Sequence, residues 1–201
     1  MDKKSSSKIK KEILLTGFGG QGIVMAGQVL GTAASLIDRL ESTLTQSYGP
    51  EARGGACSAQ VIISDAPIHY PYVHNPDILI CLSQSGYEKY GQYLKDGGVL
   101  IIDHDMVRSP ENAKGDLFPI PATRIAEELG RKMMANIVML GFFTAVTGAV
   151  SLKAMRSSVS DSVPKGTEEA NIAAFNKGYD FGQAVLKSRQ KKAAGKKGAN
   201  S

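Results

Sequence analysis

Glu12-Ile13-Leu14-Leu15-Thr16-Gly17-Phe18-Gly19-Gly20-Gln21-Gly22 is the stretch that decides the fold. A short apolar run stops at Gly17, and four of the six positions 17–22 are glycine. Residues 23–30 then have the composition of a helix. Strand, glycine turn and helix form the opening unit of a parallel α/β sheet, and Gly17-x-Gly19-x-x-Gly22 fits the dinucleotide spacing. Glycine there admits positive φ and lets a ligand approach the backbone closely. The helix start behind it offers free N–H groups to an anion. The same glycines equally serve to pack a helix tightly on a sheet, so the surrounding chain has to choose.

Outward from the turn, the pattern alternates strand and helix. Strands are expected at 12–16, 42–46, 56–64, 77–83 and 98–103, with 118–121 extended by its prolines. The runs 77–83 and 98–103 are continuously apolar, as strands buried on both faces are. Residues 68–70 would pair back on 56–64 as a hairpin after the turn at Asp65-Ala66-Pro67. Helices are expected at 21–36, 84–94, 123–130, 133–148 and 167–187, with a short one begun by Ser151. Gly27 and Gly31 would let the first helix lie close to the sheet. The fold class is therefore α/β: a Rossmann-like, mostly parallel sheet flanked by helices, in a single domain with a helical C-terminal half.

The charge is unevenly placed. The 201 residues carry a formal net charge of +5, yet residues 1–11 hold five lysines and one Asp, and 187–201 hold six Lys/Arg and no acid. Residues 12–186 then have 13 basic and 18 acidic side chains, a net of −5. The domain is assigned to 12–187, with basic disordered tails at 1–11 and 188–201. The tails lack the aromatics that single-stranded nucleic acid would stack on, so no nucleic-acid partner is expected. The charge-free run 133–150 reaches only the lower edge of a membrane span. Its Asn136, Gly141, Thr144, Thr147 and Gly148 suit a buried helix of a soluble protein, so no membrane is expected either. Two cysteines, Cys57 and Cys81, and no apolar leader behind the lysine-rich start point to a reducing, cytoplasmic setting.

Two stretches are candidates for a site. In the first, Gly17, Gly19, Gly20, Gln21 and Gly22 would face an anion. A nicotinamide dinucleotide site also needs an acid closing the second strand, to hold ribose hydroxyls. Here Gln46 and Ser47 close it, while Asp38 and Glu41 precede it and Glu51 lies beyond. The second stretch is Gln46-Ser47-Tyr48-Gly49-Pro50-Glu51-Ala52-Arg53-Gly54-Gly55, expected at the same carboxyl edge of the sheet. Arg53 before two glycines offers a fork to phosphate or carboxylate. Tyr48, Glu51, Gly54 and Gly55 would order that loop or form an interface, and Arg53 paired with Glu51 is the alternative. His104 between Asp103 and Asp105 could hold a cation but is more commonly a solvated loop. Tyr87, Tyr90 and Tyr93 at helical spacing suggest a packed or interface face. No catalytic residue and no metal ligand is assigned. On residue types alone, a stand-alone Rossmann-type nucleotide-binding oxidoreductase and a non-catalytic binding module both stay open.

The motifs 17–22, 46–57, 63–67, 82–84, 120–123 and Ala135-Asn136 leading to Gly141 occur in an order that resembles one family. That family is the gamma subunits of the 2-oxoacid:ferredoxin oxidoreductases. The likeness covers about residues 10–186 and is most specific at 48–55, where it is nearest the 2-oxoglutarate branch; pyruvate and branched-chain ketoacid branches stay open. The resemblance implies a role inside a complex. Alpha and beta subunits, with a delta subunit in some, supply thiamine diphosphate, Mg2+ and iron–sulfur clusters. The complex decarboxylates a 2-oxoacid oxidatively, reduces ferredoxin and releases an acyl-CoA. The chain alone would bind no cofactor and show no turnover, and its 17–22 turn and Arg53 would face coenzyme A. The missing cluster cysteines, and a Gly115-Asp116-Leu117 that does not continue as a thiamine motif, agree with that division of labour.

Overall fold

The structure is a computed structural model that describes residues 9–48, 56–108 and 113–198. Six strands form one sheet: β1 (Lys10–Phe18), β2 (Glu41–Tyr48), β3 (Ala56–Ser64), β4 (Ile78–Cys81), β5 (Val99–Asp103) and β6 (Asp116–Ile120). Their spatial order is β2-β3-β1-β4-β5-β6. The β1–β4, β4–β5 and β5–β6 pairs are parallel, whereas β3 runs antiparallel to both β1 and β2. Five strands thus share one direction and β3 alone opposes them.

Six helices cover the sheet: α1 (Ile23–Thr32), α2 (Gln84–Tyr90), α3 (Ala122–Glu128), α4 (Ala135–Thr147), α5 (Leu152–Ser162) and α6 (Glu168–Gly198). Pleating sends alternate strand residues to opposite faces. Ile13, Leu15, Val61, Ile63, Ile80 and Ile101 join the main core beneath α1 and α3–α6. Leu14, Leu79, Cys81, Leu100 and Ile102 face the other way, under Tyr87 and Tyr90 of α2. Phe142, Phe143 and Phe175 are fully buried in the larger layer, each contributing about 1.5–3 kcal/mol relative to an exposed ring.

Local chemistry sets the ends of these elements. Ser83 and Ser151 cap α2 and α5, accepting from the N–H groups of Gly86 and Ala154. Gly148, at φ 58°, closes α4 in the left-handed conformation. After Thr32, α1 widens into a π-helical turn, Ala33–Ile37. The Asp38 carboxylate beyond it accepts from the Ser151 backbone N–H at 2.7 Å and the Ser151 hydroxyl at 2.6 Å. Gly27 is needed as expected, since a Cβ there would lie 2.8 Å from Ala59 Cβ.

Two expectations differ from the structure. Residues 68–70 form no strand. Pro67 and Pro71 flank them without N–H groups, and the returning chain is held by Val73 N–H donating to Gln60 Oε1 at 2.8 Å. The helix expected to end near 187 continues through 188–198 as part of α6. Lysine, glutamine and alanine there are good helix formers with no proline among them. The turns are also tied down: the Arg189 guanidinium donates to Asp116 Oδ1 at 2.6 Å and to the Leu117 carbonyl, and lies 3.8 Å from the Phe118 ring centre.

Candidate functional site at the carboxyl edge of the sheet

The glycine turn leaves β1 at the carboxyl edge of the parallel strands. Between β1 and β4 the chain changes direction across the sheet, the kind of switch point where open α/β sheets bind ligands. Gln21 fills that crevice. Its Oε1 accepts from Phe18 N–H at 2.6 Å and its Nε2 donates to the Leu82 carbonyl at 3.0 Å. The side chain folds over Gly17, where a Cβ would lie 2.4 Å from Gln21 Oε1. Gly17 and Gln21 therefore build the turn rather than face outward. Gly19 and Gly20 are exposed, and a Cβ at Gly20 would meet nothing within 4 Å. Gly20 and Gly22 sit at φ 94° and 69°, which glycine adopts without strain.

Gly22 is also the N-cap of α1. No side chain caps this helix and no acid lies in its first turn, so its positive end is left uncompensated. Asn136, 4% exposed, clamps the turn from behind, donating from Nδ2 to the Gly22 carbonyl at 3.1 Å. That contact joins the start of α1 to the start of α4. The sequence offers Asn136 as a polar residue inside an apolar run and as part of a motif, but not its partner, which is 114 positions away.

Beside the turn lies a cleft of ≈ 390 Å³. Gly20, Gly22, Met25, Met133, Met134 and Val163 line it. Arg131 and Lys132 also line it and are exposed. These two cations are missed by sequence reasoning; the signal for them is the Arg131-Lys132 pair that immediately precedes the charge-free run. Lys132 shares a surface ion pair with Glu127 at 3.2 Å.

The second candidate stretch is only partly visible. Phe18 pairs with Ala56, so one described end of the loop stands next to the glycine turn, while the other, Tyr48, pairs with Cys57 one strand further out. Glu51, Arg53, Gly54 and Gly55 lie outside the described residues, as does the Tyr48 side chain. The dinucleotide reading loses its geometry here. β3 separates β2 from β1, so the end of β2 is not the neighbour of the glycine turn that a ribose-binding acid requires.

Asp103, His104 and Asp105 do not converge on a cation. The Asp103 carboxylate is buried and accepts from Thr123 N–H at 2.9 Å, Thr123 Oγ1 at 2.5 Å and Asp105 N–H at 3.1 Å. Asp105 turns outward to Arg124 and lies 3.2 Å from His104 Nε2. Of the tyrosines, Tyr87 and Tyr90 pack on the smaller core, Tyr90 within 3.2 Å of Ser58 Oγ, while Tyr93 is exposed.

Residues 12–181 match the family described as pyruvate ferredoxin/flavodoxin oxidoreductase. The chain belongs to that family. The 2-oxoglutarate synthase subunit KorC of Methanocaldococcus jannaschii is 53% identical over 185 residues, covering 90% of this chain and 99% of that one. The pyruvate synthase subunit PorC of Methanothermobacter marburgensis is 37% identical over 171 residues, covering 81% and 94%. The crystal structure of the keto/oxoacid ferredoxin oxidoreductase gamma subunit from Geobacter sulfurreducens PCA aligns with a TM-score of 0.80 at 37% identity, covering 88% of this chain and 98% of that chain. Among the described residues of this pyruvate ferredoxin/flavodoxin oxidoreductase family member, no three His, Cys, Asp or Glu side chains gather as a metal site. Cys57 and Cys81 are both buried and belong to cores on opposite faces of the sheet. Asp116 of the Gly115-Asp116-Leu117 segment is engaged with Arg189.

Proposed function

We infer that this chain is the gamma subunit of a 2-oxoglutarate:ferredoxin oxidoreductase, a cytoplasmic complex that converts a 2-oxoacid and coenzyme A to an acyl-CoA while reducing ferredoxin. The observation that carries the reading is the 53% identity to a 2-oxoglutarate synthase subunit along 99% of its length, against 37% to a pyruvate synthase subunit. Alpha and beta subunits, with a delta subunit where present, hold the thiamine diphosphate, Mg2+ and iron–sulfur clusters and donate to ferredoxin. This chain completes the assembly.

Its contribution to the site is the carboxyl edge. Gly19, Gly20 and the uncapped start of α1 face the phosphates of coenzyme A, with Arg53, Arg131 and Lys132 as cations. The methionine-lined cleft gives the uncharged part of the same molecule an apolar wall. Gly17, Gln21 and Gly22 support this edge from within, and Tyr48, Glu51, Gly54 and Gly55 order the loop that bears Arg53.

The test uses the reconstituted complex. Omitting this chain should abolish coenzyme A-dependent ferredoxin reduction. Arg53→Ala and Lys132→Ala should each raise the KM for coenzyme A by roughly tenfold, the loss of one charge-assisted hydrogen bond, with assembly and 2-oxoglutarate KM unchanged. Gly22→Asp is a poor probe, because a Cβ at Gly22 would lie 2.4 Å from Asn136 Nδ2. Full activity without the chain would overturn the subunit role; unchanged coenzyme A kinetics in both variants would overturn the site.

A further inference from the structure

The two edges of the sheet are built differently. On the β6 edge, Pro119 has no N–H to offer and Arg189 already occupies the Leu117 carbonyl. Asp116 adds a charge, itself held by Arg189. These are the devices by which proteins refuse an incoming strand.

The β2 edge carries no proline and a single charge, Glu41 at its first position. All eight residues of Glu41–Tyr48 pair with β3 in unbroken register, without a bulge. Positions 42–48 contain no proline, glycine or charge. Glu41, Gln46 and Ser47 are exposed, and no described strand lies on the outer side of β2. The π-helical turn packed against β2 carries Leu36, an apolar side chain left 76% exposed. A long, regular edge, uncharged beyond its first residue and with an exposed leucine beside it, is a surface made to be paired.

We propose that β2 pairs antiparallel with β2 of a second copy of this chain, joining two six-stranded sheets across a two-fold axis normal to the sheet. Such an axis keeps the faces of the two sheets aligned, so it sets residues of equal parity opposite each other. Centred on Leu44, it places Thr43 against Thr45, Ser42 against Gln46 and Glu41 against Ser47, with Leu44 meeting its own copy. No like charges meet, and the strand is complementary to itself. The closed pair consumes both bare edges and leaves only the two guarded β6 edges at the ends. Because the strands are antiparallel, the two glycine turns point to opposite ends of the joined sheet.

The full-length chain should sediment at twice its 21.4 kDa mass, and the β2 amides should gain hydrogen-exchange protection as concentration rises. Ser47→Glu sets a new carboxylate against Glu41 of the other copy, and the axis repeats that clash once. It should weaken dimerisation roughly fivefold to tenfold, as like charges directly opposite do. Adding Glu41→Lys to that variant should restore the dimer, because both contacts then join opposite charges. A monomer across the soluble concentration range overturns the proposal. So does a dimer indifferent to Ser47→Glu, or β2 protection independent of concentration. The exchange measurement on the unmodified chain decides the matter should a variant misfold.

Discussion

Gln21 holds the glycine turn together with two hydrogen bonds that no other side chain among the described residues duplicates. Gln21→Leu keeps the volume but strands the Phe18 N–H and the Leu82 carbonyl. We expect a loss of about 1–3 kcal/mol, the desolvation penalty of orphaned polar groups, read from urea denaturation. The residue was legible as part of a glycine motif, but its role was not: pairing with Leu82 depends on β1 and β4 being neighbours, which the local sequence does not state. At the opposite edge, Lys95 bridges Asp77 at 2.8 Å and Glu12 at 3.2 Å. Partial burial lowers its pKa, but the hydrogen bonds to Asp77 and Glu12 outweigh that and hold it above the ordinary lysine value of 10.5. A raised folded pKa stabilises below the unfolded value and is lost as pH rises through the folded one. Lys95→Gln should therefore be less stable than the native chain at neutral pH, and the two denaturation midpoints should converge in strongly alkaline buffer.

At the scale of elements, α4 and α6 approach more closely than any side chain would permit. A Cβ at Gly141 would fall 1.9 Å from the Phe175 carbonyl, and one at Gly178 1.9 Å from the Val138 carbonyl. These are backbone atoms that cannot swing away. Gly178→Ala should cost about 4 kcal/mol or more, in the range reserved for overpacked cores. That would lower the melting temperature by roughly 10 °C in a chain of this size, measurable by calorimetry. The glycines themselves were plain in the sequence, and the apolar run 133–148 announced a buried helix. What it did not announce was the partner, because helix–helix contact at a glycine leaves no periodic trace. β3 was legible as a strand from residues 56–64, but its direction was not: an apolar strand reads alike parallel or antiparallel. That one reversal removes the dinucleotide geometry, since it inserts β3 between β1 and β2.

Across the whole molecule, the two thiols report on integrity. Burial pushes the pKa of both Cys57 and Cys81 up from the ordinary thiol value, and the thiolate is the reactive form. Alkylation of Cys81 in the native chain should be governed by unfolding, and its rate should rise with urea in step with the loss of helical signal. No helix among the described residues is long and apolar enough to cross a membrane. The larger core is closed instead by α6, the last described element, against the earlier α4. Order of synthesis gives this arrangement a further meaning. Until residues 168–182 have been made, α4 lacks the helix that packs Phe181 against Phe142 and brings Gly178 onto the Val138 carbonyl. A chain cut short near residue 165 would therefore hold all six described strands but leave the larger core open on its α6 side and prone to aggregation.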